Sequence, residues 1–484
     1  MKRRPFVAMV SLVALLAGCG GGSGGGSTSA SSGSGTGTGG GTSTTNGCSL
    51  RERQDWAAAQ LREWYLFPET LPASLDPSTF TTVGDYIDGL TATARGQRRD
   101  RFFTYLTSIA QENAFYASGE SAGFGIRLSY DTAAGRVFVN EAFEGTSALA
   151  AGIDRGTEIL AIGTDASNLR TVSAIIAAEG VAGVTSALGP TTAGTARVLR
   201  VTDAAGGART LNVTKTVYEL TPVSARYGAK IVNDGGKQVG YLNMRTFIET
   251  SDSALRNAFA SFRAAGVTEV VIDLRYNGGG LVSIADLFGN LLGRNRSTSD
   301  VFSFTTFRPE KSSSNSTRRF SPQSQSIAPT KIAFIGTGGT ASASELVING
   351  MRPYLVNNQA LVGTNTFGKP VGQIALDKAA CDDRLRVLAF STQNANNAGF
   401  YYDGLAPVVE QSCQAADDVN FPLGDPREAS FARALDFLAG RGCTRISEAE
   451  RTTASARNAS TATSRELITP DRPTTPQREV PGSF

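Results

Sequence analysis

The chain has 484 residues, 40% of them hydrophobic and 18% charged, which is roughly two to four domains' worth of ordinary globular sequence. Its net charge of +3, with Arg interspersed among Asp and Glu, leaves no basic stripe and excludes nucleic acid as an expected partner. It contains no histidine, which excludes Ser/His/Asp and Cys/His machinery and the usual nitrogen ligands of catalytic zinc.

At the start, Lys2, Arg3 and Arg4 precede an apolar run from Phe6 to Leu16, too short to span a bilayer, that reads as a secretory signal. Its end, Leu16-Ala17-Gly18-Cys19, resembles bacterial lipoprotein signals, which implies cleavage before Cys19 and a lipid on its sulfur. Residues 1–19 are therefore expected to be a lipoprotein signal. Residues 20–47, almost all Gly, Ser and Thr, are expected to be a linker with a reach of about 30 Å as a flexible coil. The expected location is the cell envelope, with the lipid anchoring the chain to a bacterial membrane and the folded part facing the periplasm or the surface. Cys48, Cys381, Cys413 and Cys443 remain, and export favours disulfides among them. Three pairings are open; the expected one joins Cys381 to Cys413 and Cys48 to Cys443. None forms a C-x-x-C pair, so with no histidine neither a metal site nor a cofactor is expected.

Residues 48–118 read as a helical N-terminal domain, with Trp56, Leu61, Trp64 and Leu66 on one face, then Tyr86, Ile87 and Leu90, then Phe102, Phe103, Leu106 and Ile109. Pro68, Pro72 and Pro77 separate the first helix from the second. From 119 to 220 the pattern changes to short strands punctuated by glycine: Gly125 to Tyr130, Arg136 to Ala142, Glu158 to Ile162, Ala196 to Val201 and Arg209 to Val213. Short helices fit Ser147 to Ala151 and Thr171 to Ala178. The run Gly123-Phe124-Gly125-Ile126, followed in order by Ala148-Leu149-Ala150-Ala151-Gly152-Ile153 and Gly156-Thr157-Glu158-Ile159-Leu160, resembles a PDZ domain. That resemblance implies a loop offering backbone amides to a peptide's terminal carboxylate, while the peptide adds a strand to the sheet edge. Gly123 and Gly125 allow the backbone to present such amides without side-chain obstruction.

Residues 221–446 read as α/β, with apolar strands at Val239 to Asn243, Val267 to Leu274, Ile332 to Ile335, Ala360 to Val362 and Leu385 to Phe390. Helices are expected at Asp252 to Ala265, Ile284 to Leu292 and Glu345 to Met351. From 447 to 484 the composition is Thr, Ser, Arg, Glu and Pro without period, and a disordered tail is expected.

Three motifs in this region stand in order: Asp273-Leu274-Arg275-Tyr276-Asn277-Gly278-Gly279-Gly280, then Thr340-Ala341-Ser342-Ala343-Ser344-Glu345, then Thr366-Phe367-Gly368-Lys369 with Gln373. Together they resemble the carboxyl-terminal processing peptidases, or tail-specific proteases, and the resemblance extends over about 50 to 445. It implies a ClpP/crotonase-like α/β catalytic core with an inserted PDZ-like β module and an N-terminal helical domain. By the motif, Ser342 is the nucleophile, with Ser344 as competitor, and Lys369 is the general base. Gln373 orients the amine, and the amides of Gly280 and Ala343 form the oxyanion hole. Lysine suits the role because a buried ammonium can fall to a pKa of roughly 5 to 6, whereas a guanidinium cannot be deprotonated. Asp273 and Arg275 read as an ion pair bracing the turn.

The spacing from Ser342 to Lys369, 369 − 342 = 27, is longer than the family's usual one, and Pro353 falls inside it. The helix is expected to stop or kink at Arg352, with the extra residues absorbed before Ala360. The function implied is a Ser/Lys serine endopeptidase acting on exported proteins through their C-termini. The alternative is a non-catalytic, lipid-anchored peptide- or ligand-binding scaffold of the same fold.

Overall fold

The computed structural model describes residues 47–131, 133–203, 206–447 and 465–484. The signal, Cys19 and nearly all of the Gly/Ser/Thr linker lie outside the described residues. Among the described residues no helix is long and apolar enough to cross a membrane.

Six strands form the central sheet, in the order Ala229–Asp234, Lys237–Asn243, Glu269–Asp273, Lys331–Gly336, Gln359–Gly363 and Gln411–Gln414. The first pair is antiparallel and the others are parallel. Helices cover both faces, so these strands read as near-continuous apolar runs rather than alternating ones. Ser251–Ala264, Val282–Leu292 and Ala343–Leu355 bury Phe259, Phe262, Phe288 and Val347 on one face. Ala429–Leu438 buries Phe431 and Leu435 on the other, against Tyr241, Val271 and Ile335. The loops that leave Asp273, Gly336 and Gly363 therefore emerge together, at the carboxyl ends of three neighbouring parallel strands. That is where open α/β sheets place their ligands.

The helix Ala343–Leu355 passes through Pro353 and runs three residues beyond the stop expected at Arg352. Proline there leaves the Asn349 carbonyl without its helical donor, and Asn394 Nδ2 supplies the missing hydrogen bond at 3.1 Å. A single 3₁₀ turn, Val356–Asn358, then takes up the extra length before the strand Gln359–Gly363.

A second sheet joins Tyr105–Ser108, Asp383–Gln393, Val301–Phe307 and Ser316–Arg319, with Val371–Lys378 also paired to Asp383–Gln393. The N-terminal helices Leu50–Trp64 and Val83–Leu90 pack against it, so Leu61, Tyr65 and Ile87 share one core with Val371, Leu385 and Leu388. The helical face expected through Phe102, Phe103, Leu106 and Ile109 is interrupted. Tyr105–Ser108 pairs antiparallel with Asp383 to Arg386, and a helix starts only at Ile109, capped by the Ser108 hydroxyl. Pairing to an open sheet edge outweighs the local period here.

In sequence between the N-terminal helices and the α/β region, residues 120–219 form a β module with its own core. Ile126–Asp131, Arg136–Ala142, Glu158–Gly163, Ala196–Thr202 and Arg209–Thr214 pair in sequence around Val172–Leu188. That helix extends ten residues past the expected Ala178, broken at Gly180, whose φ is +67°.

The expectation of a disordered tail fails for residues 465–484. Glu466–Leu467 pairs with Ile126–Asp131, Thr475–Glu479 is helical behind a Thr474 cap, and Ile468, Val480 and Phe484 are buried. Three apolar anchors in a polar composition suffice, and composition averages them away. Residues 448–464 lie outside the described residues.

The disulfides are Cys48–Cys381 and Cys413–Cys443, not the expected pairs. Cys413 sits on the sheet's last strand, and the chain returning from Ala429–Leu438 runs beside it, with Gln414 N donating to Thr444 O at 2.8 Å. Cys381 turns instead toward the start of the first helix, where Arg53 also binds Asp383. Replacing Cys413 and Cys443 together by serine should cost about 2 to 4 kcal/mol, since a sequence separation of 30 residues closes a moderate loop. Urea unfolding under oxidising conditions measures this.

Candidate active site

The strand Glu269–Asp273 ends in a braced turn. Arg275 Nε meets Asp273 Oδ1 at 2.9 Å, while Arg275 Nη1 and Nη2 bind the two Glu428 oxygens at 2.9 Å each, all fully buried. Tyr241 donates its hydroxyl to Asp273 Oδ2 at 2.8 Å. The turn is also held from inside: Asn277 Nδ2 binds Met244 O at 2.9 Å, and Gly279 N donates to Asn277 Oδ1 at 3.0 Å. Gly279 and Gly280 adopt φ +118° and +132°, open to glycine and strained for other residues.

Ser342 faces this turn at the start of the helix Ala343–Leu355. A Cβ on Gly279 would lie 2.8 Å from Ser342 Cβ and 3.0 Å from Ala343 N. The Gly279→Ala variant should therefore fold with a displaced turn and melt at a lower temperature than the parent, which a thermal melt measures. Ser342 itself has φ +54°, a conformation non-glycine residues rarely hold without tight surroundings. It is partly accessible, and Ala343 behind it contributes one of the first helix amides, which lack intrahelical partners. Ser344 is fully buried and donates its hydroxyl to Asn277 O at 3.1 Å, a structural bond that supports the turn.

Lys369 lies on the loop after Gly363. Its Nζ donates to Gln373 Oε1 at 2.8 Å and sits 5.0 Å from the centre of the Phe103 ring. Gln373 Nε2 in turn is anchored on Phe103 O. Burial pushes the Lys369 ammonium below its ordinary range, against an opposing pull from the Glu479 carboxylate; Arg478 and Arg386 lower it further and Asp100 raises it. Lys369 Nζ thus engages Gln373 rather than the Ser342 hydroxyl. Bonds between base and nucleophile often tighten only with substrate bound.

Glu345 joins the two loops. Its buried carboxylate accepts from Ser342 N at 3.0 Å and Lys369 N at 2.7 Å through one oxygen, and from Gly368 N at 2.7 Å and the Thr366 hydroxyl at 2.6 Å through the other. Burial raises its pKa, while these donors pull it down. The sequence showed Glu345 only as a motif member. Its signal was the S-x-x-E spacing of a capping box, which places a carboxylate at the third helical position.

Gly123, Phe124, Gly125 and Ile126 open the β module's edge strand. Gly125 N and Ile126 N donate to the backbone oxygen of Phe484 at 3.0 and 3.3 Å, Phe484 N donates to Ile126 O at 2.9 Å, and Leu128 N donates to Gly482 O at 2.8 Å. A Cβ on Gly123 would lie 2.6 Å from the carbonyl carbon of Phe484, so glycine is required for the approach. Phe124 points into the module's core beside Phe484. Arg127, missed in the sequence, is fully buried and ties this strand to the glycine turn, its Nη1 donating to Tyr276 O at 3.0 Å and to Pro481 O at 2.5 Å. No simple pattern announces it, because an arginine on a strand usually reads as solvent-facing.

Residues 238–407 match the profile of peptidase family S41. A carboxyl-terminal-processing protease of Picosynechococcus sp. is 28% identical over 254 residues, 52% of this chain and 55% of its own length. One from Synechocystis sp. is 24% identical over 329 residues, 67% of this chain and 70% of its own. The chain thus spans little more than half of the first relative's length. A solved structure from Bacteroides fragilis, assigned to the S41 proteases, superposes with a TM-score of 0.61 at 22% identity, covering 80% of this chain and 97% of the other. Residues 238–407 are thus similar to peptidase family S41, and the chain resembles carboxyl-terminal-processing proteases over part of its length.

Proposed function

We propose that this chain is a serine endopeptidase of Ser/Lys type that cleaves exported proteins after its PDZ-like module, residues 119–220, has recognised their C-terminal tails. The observation that carries the reading is Lys369: a half-buried lysine whose amine is hydrogen-bonded to neutral Gln373, on a loop that Glu345 locks to the loop of Ser342. Neutral Lys369 takes the Ser342 proton as Oγ attacks the scissile carbonyl, and the amides of Ala343 and Gly280 receive the oxyanion. The C–N bond then breaks and Lys369 returns the proton to the leaving amine. Water hydrolyses the acyl-serine ester by the same proton path, restoring the Ser342 hydroxyl. Cys19, lipidated, would hold the chain to the envelope membrane through the 20–47 linker.

The test is hydrolysis by the full chain of an unfolded reporter with a free or an amidated C-terminus. Faster hydrolysis of the free form, abolished by Ser342→Ala, is expected. Equal rates for both forms remove the tail-recognition part. Binding of the reporter without any hydrolysis favours the non-catalytic scaffold.

A further inference from the structure

The chain's own residues 465–484 already fill the two places that a substrate tail would need. Gly482–Phe484 runs antiparallel along Ile126 to Leu128, with a bridge between Arg127 and Ser483, and Glu466–Leu467 covers Ser129 and Tyr130 on the same edge. The other edge of that strand is taken by Arg136–Ala142. An edge has one set of amides, so a second peptide cannot add while this one stays. Just upstream of Gly482, the short helix Thr475–Glu479 lies over the glycine turn. Gly278 N donates to Glu479 O at 2.9 Å, and Arg478 O lies where a Gly278 side chain would begin.

Glu479 is also the carboxylate nearest in effect to the proposed base. It is buried, accepts the Tyr116 hydroxyl at 3.0 Å, and pulls against the burial that keeps Lys369 below its ordinary range. A carboxylate that favours the ammonium form opposes a base that must be neutral. Glu479 outweighs Arg478 of the same tail, which pulls the other way, so the tail is complementary to the groove and, on balance, antagonistic to the chemistry.

We infer that residues 465–484 are a resident, releasable occupant of the groove and of the glycine turn, and that peptides ending in a large apolar residue gain access by displacing it. This rests on the peptidase reading for its effect on hydrolysis, but not for its effect on binding. The class of ligand follows from the occupant: Phe484 is buried among Phe124, Ile126, Val184 and Leu188, so the groove takes an aromatic or large aliphatic end behind small residues such as Gly482 and Ser483.

The probe is a fluorescein-labelled peptide of the sequence Gln477 to Phe484, titrated by anisotropy into the full chain carrying Ser342→Ala. Three forms are compared: the intact tail, Phe484→Asp, and deletion of 465–484. Released forms should bind the probe about tenfold tighter or more, the factor by which an occupant present roughly nine times in ten weakens a competitor. With Ser342 intact, the same forms should hydrolyse the reporter faster, and unlabelled peptide of residues 465 to 484 should slow the deletion form again. Glu479→Gln should move the rising limb of the pH–rate profile to lower pH, since Arg478, Arg386 and Asp100 remain around Lys369. Folded released forms that bind the probe no tighter overturn the inference, as does failure of both released forms to fold, which would make the tail a permanent strap. Tighter binding with no hydrolysis in any form leaves the occupant in place and sinks the peptidase reading instead.

Discussion

Lys369→Arg should lower hydrolysis by about 10² to 10⁴, the usual contribution of a positioned general base, while leaving probe binding and thermal stability close to the parent's. Arginine keeps the length and charge but cannot give up its proton, so a conservative exchange by class is a complete loss by chemistry. Lys369→Met should fall as far, for want of any basic nitrogen. The parent's rate should rise with pH as Lys369 loses its proton, and because burial lowers that pKa the rise should fall below the ordinary lysine range of about 10.4. In both variants this limb should vanish. A variant that keeps the limb would show that another group titrates there.

Arg275→Met carries the largest expected cost to folding. Its guanidinium is fully buried and is the shared counter-charge of Asp273 and Glu428, with Asp417 a third partner at 3.2 Å. Removing it strands carboxylates in the interior at about 3 to 5 kcal/mol. Urea denaturation should show a lower midpoint with little change in slope. Because the same group braces the turn that carries Gly278 to Gly280, hydrolysis should fall even under conditions where the variant stays folded. An unchanged midpoint would mean that the network adds nothing net.

How much of this was legible beforehand varied with the kind of signal. The parallel strands announced themselves as unbroken apolar runs, and three ordered motifs singled out Ser342, Lys369 and Gln373, of which the structure brings Lys369 onto Gln373 and joins the loops of Ser342 and Lys369 through Glu345. The Asp273–Arg275 pair was legible too, since two opposite charges at a strand end have few other uses. Long-range pairing was not: Tyr105–Ser108 looked like another helical turn because its partner strand lies almost 280 residues on. The disulfides went wrong for the same reason, four cysteines carrying no register of their own. The tail was misread because its buried apolar side chains are Ile468, Val480 and Phe484 alone, the other buried side chains being polar. Pro353 read as a stop because the rescuing donor, Asn394, is invisible to a local rule.

The central claim is that Ser342, not Ser344, is the nucleophile, and the most direct measurement is reporter hydrolysis by the tail-released chain carrying each alanine in turn. Ser342→Ala should lose on the order of 10⁴-fold or more, as nucleophile removal does elsewhere. Ser344→Ala, which removes a buried bond to Asn277 O, should retain measurable hydrolysis at reduced stability. Hydrolysis that survives Ser342→Ala and disappears with Ser344→Ala would contradict the account.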